Sequence, residues 1–254
     1  MQNIFKKLGI VSNRRPEKTM KQFIKNSLPY SWKLQYRLLQ RFFHEQKKSH
    51  FYAKNYLNDD IGDYSVEFKQ VIRKGDFQEN KIHNLKIVCE KISNIIIQPN
   101  EVFSFWKIVG KPSRKNNFKE GRNLINNTIS QDLGGGICQL SSILYYSALQ
   151  SGLEIVERHS HSIDIYKEDE RFTPLGSDST VVFGYKDLKI KNNFTFPIQL
   201  KCRMQENELY LSIRSQNEIK NKIIHFKYQE INNGVWVETL NNDQTLFKNF
   251  YIRL

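Results

Sequence analysis

The chain has 254 residues, 39% hydrophobic and 13% aromatic, enough apolar material for one large domain, or one domain with an extension, and not the composition of a disordered polymer. Three widely spaced cysteines, Cys89, Cys138 and Cys202, with no CxxC pair, argue against a disulfide framework and a zinc ribbon, and fit thiols kept reduced in a cytoplasm. The net charge of +13 is uneven, since residues 1–60 carry 13 Lys and Arg against 4 Asp and Glu. Such a surplus suits an anionic membrane surface, nucleic acid or a polyanionic wall polymer, or reflects only a Lys- and Asn-rich base composition.

Residues 1–27 read as a polar, basic lead. It has no apolar run that could serve as a signal peptide, and no window of the chain approaches a membrane span. From Ser31 a helix is expected, with Trp32, Tyr36, Leu39 and Phe43 on one face and Lys33, Arg37 and Arg41 on the other. Its apolar face is expected to pack on its own domain, with a membrane surface as the alternative. No zinc-finger spacing, RNP pattern or helix-turn-helix signal accompanies the charge, so no nucleic acid is expected. Residues 1–60 are thus taken as a basic helical extension and 61–254 as the main domain.

Val66 to Ile72 alternates and reads as a strand. Ile82, Leu85, Cys89, Ile92 and Ile96 follow a helical period that places Cys89 in the core. Pro99-Asn100 is a turn before the apolar run Val102 to Trp106, and residues 110–133 form a long loop or ragged hairpin. Gly134-Gly135-Gly136 then runs into Cys138, which opens a helix marked by Leu140, Ile143, Leu144, Ser147 and Ala148 and closed by Gly152. A strand over 153–166 would turn His159 and His161 to one face. Ser179 to Gly184, with Asp178 at its start, reads as another strand. So do Leu188 to Lys191, Phe196 to Arg203 (with Cys202 in the core), Leu209 to Ile213, Ile223 to Tyr228 and Val235 to Glu238. The fold class is α+β: helices, then an antiparallel sheet, with the Cys-bearing helix packed on it.

A thiolate nucleophile needs a base, and the base needs an orienting acceptor. Cys138 at a helix start, where unpaired N–H groups favour a thiolate, His159 or His161, and Asp178 supply that set. Their order and layout are those of transglutaminase-like and papain-like enzymes, by analogy. Gln139 and local N–H groups would stabilise an oxyanion. Each residue also has a plainer reading: buried core thiol, strand histidine, turn cap, helix-start hydrogen bonder. His159-x-His161 with Cys138 or Asp178 is a weaker zinc pattern, and no P-loop follows the glycines. No metal or other cofactor is expected.

Five ordered motifs resemble the VanW family: Phe103-Ser104-Phe105; Gly134 through Tyr145; Glu157-Arg158-His159-Ser160-His161-Ser162; Gly176 through Val181; and Asp187 through Asn192. They fall within residues 80–203. The family's usual Asp-Ala-Thr stands here as Asp178-Ser179-Thr180, and its main histidine corresponds to His161. The resemblance implies a part in bacterial cell-wall or glycopeptide-response biology. Many members carry a signal or membrane anchor. This chain shows neither, so the expected location is the cytoplasm, with peripheral contact at an anionic membrane surface as an option.

Two functions follow as expectations. One is a cysteine-dependent acyltransferase or amide hydrolase acting on a peptidoglycan-related substrate, with Cys138 as nucleophile, His161 as base, Asp178 as orienting group and Gln139 at the oxyanion. Gly134, Gly135, Gly136, His159 and Ser141 would line the substrate site. The other is a non-catalytic module that binds a wall precursor or protein partner, with Cys138 remote from both histidines.

Overall fold

The structure is a computed structural model that describes residues 28–72, 75–125, 128–164, 171 and 173–253, with side chains left out at 123–125 and 128–130. The basic lead over 1–27 and the far end of the expected 153–166 strand lie outside the described residues. Among the described residues the helices are α1 (Tyr30–Lys48), α2 (Gln78–Ile92), α3 (Phe105–Val109) and α4 (Cys138–Gln150). The strands are β1 (Asn55–Tyr56), β2 (Tyr64–Val71), β3 (Ile95–Ile97), β4 (Val102–Ser104), β5 (Glu120–Ile125), β6 (Thr128–Leu133) and β7 (Glu154–Glu157). They continue with β8 (Ile163–Asp164), β9 (Lys189–Lys191), β10 (Ile198–Gln205), β11 (Glu208–Ser215), β12 (Ile224–Ile231), β13 (Gly234–Asn241) and β14 (Gln244–Arg253).

The fold is α+β, and its strands form four sheets where a single one was expected. The largest runs β1-β3-β10-β11-β2, antiparallel throughout, so its first strand precedes residue 61. The second runs β12-β13-β14-β8, with β8 parallel to β14. A third runs β4-β9-β7, and β5 and β6 form a hairpin. Alternation along β11, which lies between β10 and β2, turns one face to the core: Leu209, Leu211 and Ile213 are buried, with the residues between them less so. Helix α2 lies over β10, and α4 meets β2, β11 and β7. Leu85, Val88 and Ile92 of α2 join Leu140, Ile143 and Leu144 of α4 in the main core, where Cys89 and Cys202 are both buried. A smaller core of Leu175, Val235, Val237 and Tyr251 sits on the second sheet.

Two expected strands fail, and the apolar run Val102 to Trp106 divides between strand and helix, each for an identifiable reason. The run Val102 to Trp106 keeps strand geometry only to Ser104, where Ser104 Oγ accepts from Lys107 N at 3.3 Å and caps α3. Asp187 completes that turn by accepting from Ser104 Oγ at 2.6 Å and Trp106 N at 3.1 Å. The segment Ser179 to Gly184 forms one bridge, Val182 with Lys186, and no strand. Its backbone groups are taken elsewhere: Ser179 N donates to Ser142 Oγ at 3.0 Å and Thr180 N to the His159 carbonyl at 2.8 Å. The strand over 153–166 breaks after Glu157 and resumes only at Ile163, so its alternation does not govern the two histidines. β14 went unread because its apolar residues, Leu246, Phe247, Phe250 and Tyr251, do not alternate.

Helix α1 forms as expected and packs on the domain, but through the opposite face. Leu34 is buried against Gly184, where an added Cβ would meet its Cδ1 at 2.5 Å. Arg41 Nη2 grips Glu157 at 3.0 and 2.8 Å, and Glu45 bonds Lys189 Nζ at 2.6 Å. The aromatic face expected to be inside points outward.

Candidate functional site

Helix α4 starts at Cys138 because the turn before it uses positive φ at Gly134 (80°) and Gly136 (88°). Gly135 lies flat on Gly121 of β5, where a Cβ would stand 2.1 Å from the Gly121 carbonyl carbon. Asn84 of α2 locks the turn, its Nδ2 donating to the Gly135 and Lys119 carbonyls at 3.0 Å each. Cβ atoms at Gly134 and Gly136 would run into Pro112 and Lys81. The three glycines, expected to line a substrate site, are instead required by close packing of the chain on itself. The Cys138 N–H, first in the helix, has no acceptor among the described residues.

Cys138 is half-buried, its sulfur 3.8 Å from Thr180 Oγ1 and 3.9 Å from the Val181 carbonyl oxygen. The group that most strongly favours its ionisation is the nearby imidazole of His161. The other side of that ring meets a carboxylate, with His161 Nδ1 2.7 Å from Asp178 Oδ2. With Nδ1 on the carboxylate, Nε2 is the nitrogen left for the sulfur. The His161 backbone N–H donates to the same Asp178 oxygen at 2.7 Å. The second oxygen, Oδ1, accepts from Arg158 Nη2 at 3.0 Å and from the Tyr251 hydroxyl at 2.5 Å. The carboxylate thus receives four donors, which fixes both its ionisation and its orientation.

Arg158 holds this arrangement from behind. Its side chain is 1% exposed. Nε donates to the Asp178 carbonyl at 2.7 Å, Nη2 to the Gly176 carbonyl at 3.1 Å and Nη1 to Asn249 Oδ1, and the guanidinium sits 4.6 Å from the Tyr145 ring centre. The second sheet is therefore part of the site. Asn249 and Tyr251 of β14 reach Arg158 and Asp178, and β14 also pairs with β8, just beyond His161.

The charges are mutually reinforcing. Burial works against ionised Asp178, but the His161 hydrogen bond and the Arg158 charge outweigh it and hold the carboxyl well below its usual range. Burial also opposes charge on His161. The Asp178 hydrogen bond and the nearby Asp178 and Cys138 groups together raise its pKa to about 10. Burial pushes the Cys138 thiol up, and the proximity of His161 is the main influence that brings it below its ordinary value. Both shifts run toward thiolate and imidazolium, and the start of α4 adds its dipole in the same direction.

The remaining expected site residues lie elsewhere. His159 faces away from Asp178, with Nε2 3.1 Å from Glu157 Oε1, in the cluster that ties Arg41 and Lys189 to the domain. Gln139 donates through Nε2 to the Val71 carbonyl at 3.0 Å, anchoring α4 to β2. Ser141 is fully buried, and its hydroxyl donates to the carbonyls of Ser179 (2.6 Å) and Cys138 (3.1 Å). With Ser142 it pins the Asp178–Thr180 segment to α4. Among the described residues no group of three or more His, Cys, Asp and Glu side chains could hold a metal ion.

Sequence reasoning missed Arg158 and Tyr251 as parts of this site. Arg158 had a signal, an arginine between Glu157 and His159 in a motif, but a charged residue at a strand end reads as solvated. Tyr251 had none, since nothing in the sequence joins β14 to the 158–178 region.

A family model described as "VanW like protein" matches residues 80–214, just over half of the chain. The chain is 30% identical over 145 residues to the "Uncharacterized protein YoaR" of Bacillus subtilis, covering 57% of this chain and 46% of that one. It is 30% identical over 133 residues to the "Vancomycin B-type resistance protein VanW" of Enterococcus faecalis, covering 52% and 48%. The chain thus spans about half the length of the curated relatives it matches. No solved structure matches it. Every residue of the Cys138, Arg158, His161 and Asp178 cluster falls inside the family match, and Tyr251 lies outside it.

Proposed function

The chain belongs to the VanW family, and from that premise we propose that it is a cysteine-dependent acyltransferase or amide hydrolase acting on a peptidoglycan-related substrate in bacterial wall or glycopeptide-response biology. The observation that supports the reading is His161, held with Nδ1 2.7 Å from the Asp178 carboxylate and acting electrostatically on the Cys138 thiol at the start of α4. The chain order Cys, His, Asp resembles that of transglutaminase-like and papain-like enzymes, and such an analogy does not name a substrate.

In this reading Cys138 Sγ attacks the carbonyl carbon of an amide. The carbonyl π pair moves to oxygen, and the oxyanion is met by the Cys138 N–H at the start of α4. The C–N bond then breaks, and Nε2 of the imidazolium gives its proton to the departing amine. A thioester is left. Water, or an acceptor amine, attacks it while His161 takes the incoming proton, and cleavage of the C–S bond returns the thiolate. Asp178 and Arg158 keep the ring in the right tautomer and orientation throughout.

The test is competitive labelling with iodoacetamide at neutral pH, followed by wall-derived peptides as substrates. The reading expects fast, selective modification of Cys138 in the wild type, slow modification in His161→Ala, and loss of any detected amide cleavage or transfer in Cys138→Ala. Activity that survives Cys138→Ala overturns it. A Cys138 that labels no faster in wild type than in His161→Ala leaves a binding module as the better description.

A further inference from the structure

We propose that the outward face of α1 is a docking surface for an anionic lipid bilayer. The helix has two faces of opposite chemistry. Leu34, Leu38, Arg41 and Glu45 face the domain, and the ion pairs of Arg41 and Glu45 hold that side down. About 160° away round the helix, at the spacing of one face, stand Trp32, Tyr36, Leu39 and Phe43. They are 68, 62, 53 and 58% exposed. Phe42 beside them and Phe51 just past the helix are 55 and 77% exposed. Trp32 to Phe43 spans eleven helical steps, a ridge roughly 16 Å long.

The occupant is argued from charge and shape. Lys47 and Lys48 are exposed at the end of the helix, and Arg37 is exposed along it. The one acid of the helix, Glu45, is turned inward onto Lys189 and Lys107. A ridge of Trp, Tyr, Leu and Phe flanked by cations, with no outward carboxylate, matches the boundary between acyl chains and anionic headgroups. There Trp and Tyr bury their rings and keep their polar tips wet. A single convex helix offers little of the complementary surface that a protein interface needs, whereas a bilayer conforms to it. The ion pairs of Arg41 and Glu45 on the inner face keep the ridge presented without the helix leaving the domain. Because Glu157, gripped by Arg41, immediately precedes Arg158, the docked helix and the Asp178 cluster are adjoining structures.

The experiment is flotation of the full chain with vesicles of phosphatidylcholine alone and of phosphatidylcholine with phosphatidylglycerol. The double variant Trp32→Ser, Phe43→Ser is run beside it; both sites are exposed, so the fold is kept, and circular dichroism confirms it. The wild type is expected to float with the anionic vesicles only, less so as salt rises. The variant is expected to lose roughly tenfold or more of that binding. No flotation by the wild type overturns the proposal, as does equal flotation by the variant. A wild-type dimer in solution that the variant turns into a monomer assigns the ridge to a second copy instead. Binding that appears only after removal of residues 1–27 assigns it to that segment. None of these outcomes bears on thiol labelling of Cys138, so this proposal and the enzymatic one fail separately.

Discussion

Asparagine at position 178 keeps the shape of the side chain and one acceptor oxygen but removes the charge that faces His161 and Arg158. His161 is raised from 6.5 to about 10, a preference for imidazolium of about 5 kcal/mol at about 1.36 kcal/mol per pH unit. Asp178 and Cys138 share that support. Losing the Asp178 share, on the order of 2 kcal/mol, lowers the ratio of thiolate–imidazolium to thiol–imidazole by tens of fold. The assay is iodoacetamide modification of Cys138 at pH 7, followed by mass spectrometry. Cys89 and Cys202, both buried, serve as internal reporters of folding. Asp178→Asn is expected to label Cys138 tens of times more slowly than wild type, with the two rates converging above the ordinary thiol pKa of about 8.5–9. That convergence separates an electrostatic effect from a collapsed site. Tyr251→Phe, which keeps the carboxylate and loses one donor at 2.5 Å, is expected to slow labelling only severalfold, in line with about 1 kcal/mol for one hydrogen bond. A folded Asp178→Asn protein that labels at the wild-type rate at pH 7 refutes the reasoning.

Three further outcomes are expected. Gly135→Ala, whose Cβ would stand 2.1 Å from a backbone carbon, is expected to cost about 3 kcal/mol or more in urea unfolding. Gly75→Ala, with nothing within 4 Å, is expected to change stability by no more than about 0.5 kcal/mol. Asp178 and Glu157 are both held below the ordinary carboxyl range, burial being outweighed at Asp178 chiefly by His161 and Arg158, and at Glu157 by His159 and Arg41. Their contribution to stability is present above the unfolded values of about 4 and is lost as pH falls toward the native ones. The unfolding free energy from urea titration should therefore drop below about pH 4, by up to about 1.4 kcal/mol per pH unit for each group, and Asp178→Asn should show the shallower fall. Finally, the Cys89 and Cys202 sulfurs lie 2.7 Å apart in the core, 113 positions apart in sequence. Oxidised glutathione is expected to take two electrons and two protons from them and yield an intrachain disulfide, read as a loss of two hydrogens by mass and a stability gain of about 2–4 kcal/mol. Two unlinked thiols after equilibration refute this.

What was legible in the sequence and what was not divides by the range of the information. The Cys138 helix, its Gly152 terminus at φ 74° and the β10–β11 pair follow from periodicity and turn chemistry, which act between near neighbours. The outward turn of the α1 aromatics does not. Periodicity shows that Trp32, Tyr36, Leu39 and Phe43 share a face, but which face goes inside is decided by partners far along the chain, Glu157, Gly184 and Lys189. Polar pairing won that contest over apolar burial. The same distinction runs through the site. The glycines before Cys138 looked like a cradle because loops rich in glycine often approach ligands, yet what Gly135 approaches is Gly121. The sharing of a face by His159 and His161 rested on a strand that ends at Glu157. Beyond that point each ring is placed by its carboxylate: Glu157 for one, Asp178 for the other.

The deepest omission was Tyr251, and it carries a structural consequence. Asp178 is oriented by a residue from the last strand, outside the region matched by the family model. Its support, Asn249 on Arg158, comes from the same strand. A fragment ending near residue 214 would keep thiol, imidazole and carboxylate but lose the Asp178 Oδ1 partner from Tyr251 and a wall of the small core around Val235 and Val237. Arg158, 1% exposed in the full chain, would then lose the β14 side chains that bond it. The motif residues supply thiol, imidazole and carboxylate, but in this chain side chains of the second sheet hold the Asp178 and Arg158 charges in place.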